Sequence, residues 1–114
     1  MKLSLNKTWQ FCLRMWKWIA DEKKNGRIKS VYNLKNEWLR KNGFKDVRII
    51  QRCFFCDYAN DECFRCPPRL INSSFDCMNN PYNWQYEPTK FYEKLVEINK
   101  KRLLLKKKGI KNVD

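Results

Sequence analysis

Cys53, Cys56, Cys63, Cys66 and Cys77 fall within 25 residues, in the pattern C-x2-C-x6-C-x2-C-x10-C. A C-x-x-C turn directs two sulfurs into one small volume. Two such turns supply four thiolates, the donor set of a closed tetrahedral zinc site. Zinc is favoured here over a disulfide pair, an iron–sulfur cluster or a chance grouping of thiols. Five thiols compete for four positions. The most compact set is Cys53, Cys56, Cys63 and Cys66; the alternative omits one of the central pair, most readily Cys63, and recruits Cys77. The Cys66-Pro67 step is a sharp exit that favours Cys66 in either set. Cys12, far upstream, reads as a small buried residue on an apolar helix face.

Catalysis is not expected of this cluster. A catalytic zinc keeps an open position and uses His or carboxylate ligands, and the chain has no histidine. Without His, the Cys-His and Ser-His-Asp nucleophile arrangements are also unavailable. The three glycines, Gly26, Gly43 and Gly109, read as helix stops and not as a phosphate loop. Phe54, Phe55, Tyr58 and Phe64 surround the cysteines, as a dry shell over a metal or as a platform for stacked bases. Tyr82, Trp84 and Tyr86 alternate as in a strand and suit packing against the first helix.

Charge separates the cluster from the rest of the chain. The net charge is +13. Residues 1–29 carry about +6 (eight cations, two acids) and residues 30–52 about +4 (six cations, two acids). Residues 53–85 carry about −2 (two cations, four acids), and residues 86–114 return to about +5 (nine cations, four acids). A basic protein approaches polyanions with strong salt dependence. The acidic balance of the cysteine segment makes it a clamp and leaves phosphate contact to the flanks. Arg14, Lys17, Arg40, Lys41, Lys100, Lys101, Arg102 and Lys106 are the candidate nucleic-acid contacts.

The elements that must position these groups are mostly helical. Residues 8–24 form a helix with Thr8 as a candidate cap and Asn25-Gly26 as its stop. Its apolar side chains cover roughly 220° of the wheel, more than a one-sided surface helix needs. Such a helix is a central core element, or it presents Phe11, Met15 and Trp18 to a partner. Residues 31–42 form a second helix, capped by Ser30 and ended at Gly43. There Val31, Leu34, Trp38 and Leu39 make the stripe, and Lys35, Glu37, Arg40 and Lys41 are expected to face water. Residues 46–52, DVRIIQR, read as a short strand. Residues 57–86 are rich in turn residues, a stretch long enough to need a metal or a function. Glu87-Pro88 opens a last helix with Phe91, Leu95, Ile98 and Leu105 on one stripe. Lys100–Lys111 holds seven cations and no acid. No run approaches the ~18–20 apolar residues of a membrane span, and no secretory signal is evident.

The run TWQFCLRMWKWIA, then CFFCDYA, CFRCPP, a single downstream Cys77 and PTKFYEKLVEINKKR, resembles small uncharacterised proteins encoded by bacteriophages and prophages of low-GC bacteria. The resemblance covers about residues 8 to 102. It implies the cytoplasm of a host cell and a small accessory role, with no assigned activity. If that family uses all five cysteines, Cys77 belongs to the metal site. The Lys- and Asn-rich composition also fits an AT-rich genome.

The expectation is one α+β, mostly α, domain over 1–114: about three helices around an aromatic core, with a zinc-stapled loop module and a short strand. It divides into a helical hairpin (1–45), a Cys-rich zinc module (46–86) and a basic C-terminal helix and tail (87–114). The expected function is a non-enzymatic, zinc-stapled protein that binds nucleic acid or a nucleoprotein through basic helices. The alternative is an inhibitor or modulator of a host or defence protein, anchored by an exposed aromatic face of the first helix.

Overall fold

The computed structural model describes residues 3–44, 53–78 and 81–109. Helix α1 spans Leu5–Lys24 and α2 spans Val31–Lys41. Two one-turn helices follow in the cysteine segment, α3 (Phe54–Tyr58) and α4 (Pro67–Ile71), with a 3-10 turn at Cys63–Arg65 between them. Helix α5 spans Pro88–Lys107. Among the described residues there is no strand, so the mostly helical expectation holds there. The strand expected over 46–52 lies outside the described residues.

Helix α1 begins a turn earlier than expected. Ser4, not Thr8, is the cap, and its side chain accepts from the Lys7 backbone N–H at 3.2 Å. Thr8 is buried, and its hydroxyl donates back to the Ser4 carbonyl at 2.8 Å. This bond satisfies a hydroxyl that would otherwise be stranded inside. At the other end Gly26 adopts φ +83°, the left-handed conformation that lets the chain leave the helix.

α1 packs most extensively on α5 and lies at the centre of the core. Trp9, Cys12, Met15, Trp16 and Ile19 are buried along it. Phe91 of α5 meets Trp16 edge-on at 4.9 Å, and Phe55 of α3 meets Trp9 the same way at 4.7 Å. Phe11 packs against Phe44 at 5.1 Å and Phe54 at 5.9 Å. The wide apolar surface of α1 is thus explained by helices on more than one side. Met15 is fully buried, Phe11 is half-buried, and Trp18 is covered by Arg27 and Lys41, at 5.9 and 5.4 Å from its ring. Met15 is thus withdrawn from the face considered for a protein partner, while Phe11 and Trp18 remain partly exposed.

Ser30 caps α2 as expected, accepting from the Asn33 N–H at 3.1 Å. Val31, Leu34, Lys35, Trp38 and Leu39 are buried. Lys35 corrects the expectation that it faces water. Position 35 lies four residues from both Val31 and Leu39, and helical periodicity places it on their face whatever its charge. Among the described residues no helix is long and apolar enough to cross a membrane.

Candidate metal centre and basic surfaces

The cysteine segment is built from two successive knuckles. Cys53 caps α3 and Cys56 lies one turn into it, so both sulfurs leave the same side of the helix start. Their separation is 3.8 Å. Four sulfurs about 2.3 Å from a tetrahedral zinc ion stand about 3.8 Å from one another. The first pair therefore already has the spacing of one edge of a zinc tetrahedron.

The chain then reverses through Asn60 and Asp61, both left-handed at φ 54° and 64°. Asn and Asp are the non-glycine residues that tolerate this conformation best. The turn is held by the Asp61 N–H donating to the Cys56 carbonyl at 2.8 Å. Cys63 opens the 3-10 turn and Cys66 closes it, its N–H donating to the Cys63 carbonyl at 3.1 Å. Pro67 then starts α4, and the Cys66 carbonyl accepts from Arg69 and Leu70 at 2.9 and 3.1 Å. Cys77 arrives on a separate loop. That loop is fixed by Phe75 stacked on Tyr82 at 5.8 Å and by the Trp84 N–H donating to the Cys77 carbonyl at 3.1 Å.

Cys56, Cys63, Cys66 and Cys77 line one cavity of about 100 Å³. Exposure separates the five cysteines of the cluster, of which Cys53 does not line the cavity. Cys53, Cys56, Cys66 and Cys77 are partly buried, whereas Cys63 is exposed. Burial, with the neighbouring charges of Cys53, Cys56 and Cys77, pushes the Cys66 thiol far up. Burial also pushes Cys77 up to about 11. Cys53 is raised to about 12, chiefly by a thiol contact from Cys12 and also by burial. Thiols raised in this way are protonated at neutral pH, and a metal bound here would have to displace their protons. Among the described residues no three ligating side chains are yet drawn together into a group that would hold an ion. The donor chemistry and the Cys53–Cys56 spacing suit zinc; the cavity is lined by Cys63 and not Cys53, whereas exposure sets Cys63 apart and favours Cys53, Cys56, Cys66 and Cys77.

Two residues near this centre were not expected there. Cys12 of α1 reaches the Cys53 thiol from the core side. Lys35 of α2 is 1% exposed, and its ammonium has no hydrogen-bond partner. The period of the α2 stripe was the signal that could have placed it. The aromatic neighbours divide: Phe54 and Phe55 are buried, Tyr58 is half-buried, and Phe64 is 67% exposed. Trp84 does pack on Trp16 at 5.9 Å, while Tyr86 is exposed, and the segment is turn, not strand.

The candidate phosphate contacts also divide. Arg14, Lys17, Arg40, Lys41, Lys100, Lys101 and Lys106 are exposed. Arg102 is 3% exposed and drops out of that set. Its guanidinium lies 5.1 Å over Trp9 and donates to Asn99 at 2.9 Å and to Asn6 at 3.4 Å, pinning α5 to α1. Position 102 continues the Phe91, Leu95, Ile98 stripe, so periodicity again overrides residue type. On α1 and α2 several cations face carboxylates. Lys17 pairs with Asp21 at 3.0 Å, and Glu37 accepts from Arg27 at 2.6 and 2.8 Å and from Lys29 at 2.9 Å. Lys41 stands 3.7 Å from Glu37. Those two basic ligands hold the Glu37 carboxyl down at about 2.

No family model, no curated protein and no solved structure matches the chain. What the site can do is therefore argued from its own chemistry.

Proposed function

We propose that this chain is a small, non-enzymatic binding protein of the phage accessory type, stapled by one structural zinc ion and acting in the cytoplasm of a host cell. Cys53, Cys56, Cys66 and Cys77 hold the metal, with Cys63 beside it. The partner is nucleic acid or a nucleoprotein, engaged through the second half of α5. One observation carries this reading. Lys100, Lys101, Lys107 and Lys108 are exposed, and the one carboxylate within a helical turn of them, Glu97, pairs with Lys94 at 3.3 Å. Around the α1–α2 corner, by contrast, Lys17, Arg27, Lys29 and Lys41 pair with Asp21, Glu22 and Glu37. A cation already paired has less to gain from releasing the counterions of a phosphate backbone. The resemblance to phage-encoded proteins supports the setting, and the burial of Met15 counts against an anchor made of Phe11, Met15 and Trp18.

The test is binding to mixed-sequence DNA and RNA across salt. Affinity is expected to fall by orders of magnitude between ~50 and ~200 mM, as several phosphate contacts require. Exchanging Lys100, Lys101, Lys107 and Lys108 for Gln is expected to shallow the salt slope by about one per lysine that touches phosphate. Binding that ignores salt, or an unchanged slope in the variant, would remove nucleic acid as the partner of α5.

A further inference from the structure

Lys35 sits in the middle of the buried stripe of α2, between Leu34 and Trp38, with 1% of its surface accessible. Its ammonium finds no hydrogen-bond acceptor, and the nearest ring is Trp84 at 5.8 Å. An unpaired ammonium is among the costliest groups a core can hold: a buried lysine either sheds its proton or faces an anion. Among the described residues no carboxylate pairs with it. The buried face of α2 instead meets both cysteine-bearing segments: Trp38 packs on Phe54, beside Cys53, at 6.1 Å, and Trp84, under the Lys35 ammonium, donates its backbone N–H to the Cys77 carbonyl at 3.1 Å. Burial lowers the proton affinity of Lys35, and the opposing influences come from the sulfurs of Cys53, Cys12, Cys56 and Cys77. Three of these are in the proposed metal set. As neutral thiols they supply no charge. As ligands of one zinc ion, four thiolates and a divalent cation make a dianion, which is the missing partner.

We infer that Lys35 is the built-in counter-cation of the metal centre: its ammonium, without a partner in this structure, donates to ligating sulfur once the metal is bound and offsets half the charge of a four-thiolate zinc. This rests on the zinc reading above and adds to it a residue that no cysteine pattern contains. A donor to ligating sulfur withdraws charge from it and steadies the ligand in one rotamer. The same ammonium makes the metal-free core unfavourable, so α2 and the cysteine knuckles become coupled through the ion. Cys12, touching Cys53 from α1, completes a polar seam between the helical core and the knuckles.

The test exploits an opposition of sign. Lys35→Met keeps the chain length and removes the charge. Metal-free Lys35→Met is expected to melt above the metal-free parent, because an unpaired charge has left the core. Its affinity for Co(II), read from the thiolate charge-transfer bands, is expected to fall about 10–100-fold with the tetrathiolate spectrum retained. A lysine that only fills space would lower both quantities or neither, and either result overturns the inference. A measurement on the parent chain needs no variant: loading with NMR-active Cd(II) is expected to show scalar coupling from the metal to the Lys35 ammonium protons. A loaded protein without that coupling overturns the inference even if the variant fails to fold. If the parent takes up neither Co(II) nor Cd(II), the zinc reading itself falls and takes this one with it. Uptake with no role for Lys35 leaves zinc standing and removes only the counter-cation.

Discussion

At the scale of single residues, position proved a better guide than type. Lys35 and Arg102 were both read as solvent-facing cations, and both are buried. Each continues an apolar stripe that the flanking residues had already defined. The Trp9 face with Asn6 and Asn99 is the physical reason for Arg102, and the Trp84 ring at 5.8 Å is what the buried Lys35 ammonium overlies. Arg102→Ala is accordingly expected to destabilise the fold by about 1–3 kcal/mol through the lost stacking and charged hydrogen bonds. It should leave the salt slope of nucleic-acid binding unchanged; chemical denaturation and a salt titration check the two halves. Among the cysteines the exposure of Cys63 gives an equally sharp expectation. Cys63→Ser should retain one zinc per chain, whereas Cys66→Ser or Cys77→Ser should lose most of the metal affinity, as measured by elemental analysis after dialysis. Zinc retained in all three would show that the ligand set has been drawn wrongly.

At the scale of elements, the long helices were legible and the short ones were not. α1, α2 and α5 carry several turns of 3.6-residue periodicity, with Ser30, Gly43 and Pro88 marking boundaries that the structure reproduces to within a residue or two. α3 and α4 have five residues each, too few for a period to emerge. Their helicity comes from what surrounds them: Phe54 and Phe55 dock on α1, and Pro67 presets the first turn of α4. The cysteine pattern was legible for the opposite reason, since a C-x-x-C repeat is local. What it could not reveal was the approach of Cys12 and Lys35 from distant helices. The α1–α2 corner has its own consequence. Glu37 ionises near pH 2 in the fold, well below the ~4.3 of an unfolded chain. A depressed carboxylate stabilises the fold above its unfolded value, and that contribution disappears as pH falls from ~4.3 towards about 2. Glu37→Gln should therefore flatten this part of the acid-stability profile relative to the parent. Urea midpoints across that window are the measurement, and identical profiles would show that the corner does not contribute.

At the scale of the whole molecule, α1 and α5 form the body and the knuckles form a lid over one side of it. The body is held by aromatic packing around Trp9 and Trp16; Trp16→Ala is expected to cost about 3–5 kcal/mol, seen in thermal or denaturant unfolding with or without metal. Removing zinc with a chelator should act differently. Loss of structure should begin in the knuckles, with amide exchange accelerating over 53–78 while the α1–α5 interface keeps its protection. Uniform loss of protection would mean that the two parts fold as one unit. The α1–α5 pairing also sets an order in time. The Arg102 guanidinium bonds to Asn6 across 96 positions of chain, and most of the apolar face of α1 is sheltered by a helix made some eighty residues later. At the ~5–20 residues per second of synthesis, Trp9 and Trp16 wait several seconds on the ribosome before their cover exists. For that interval Trp9 and Trp16 stand open to whatever binds exposed aromatic segments.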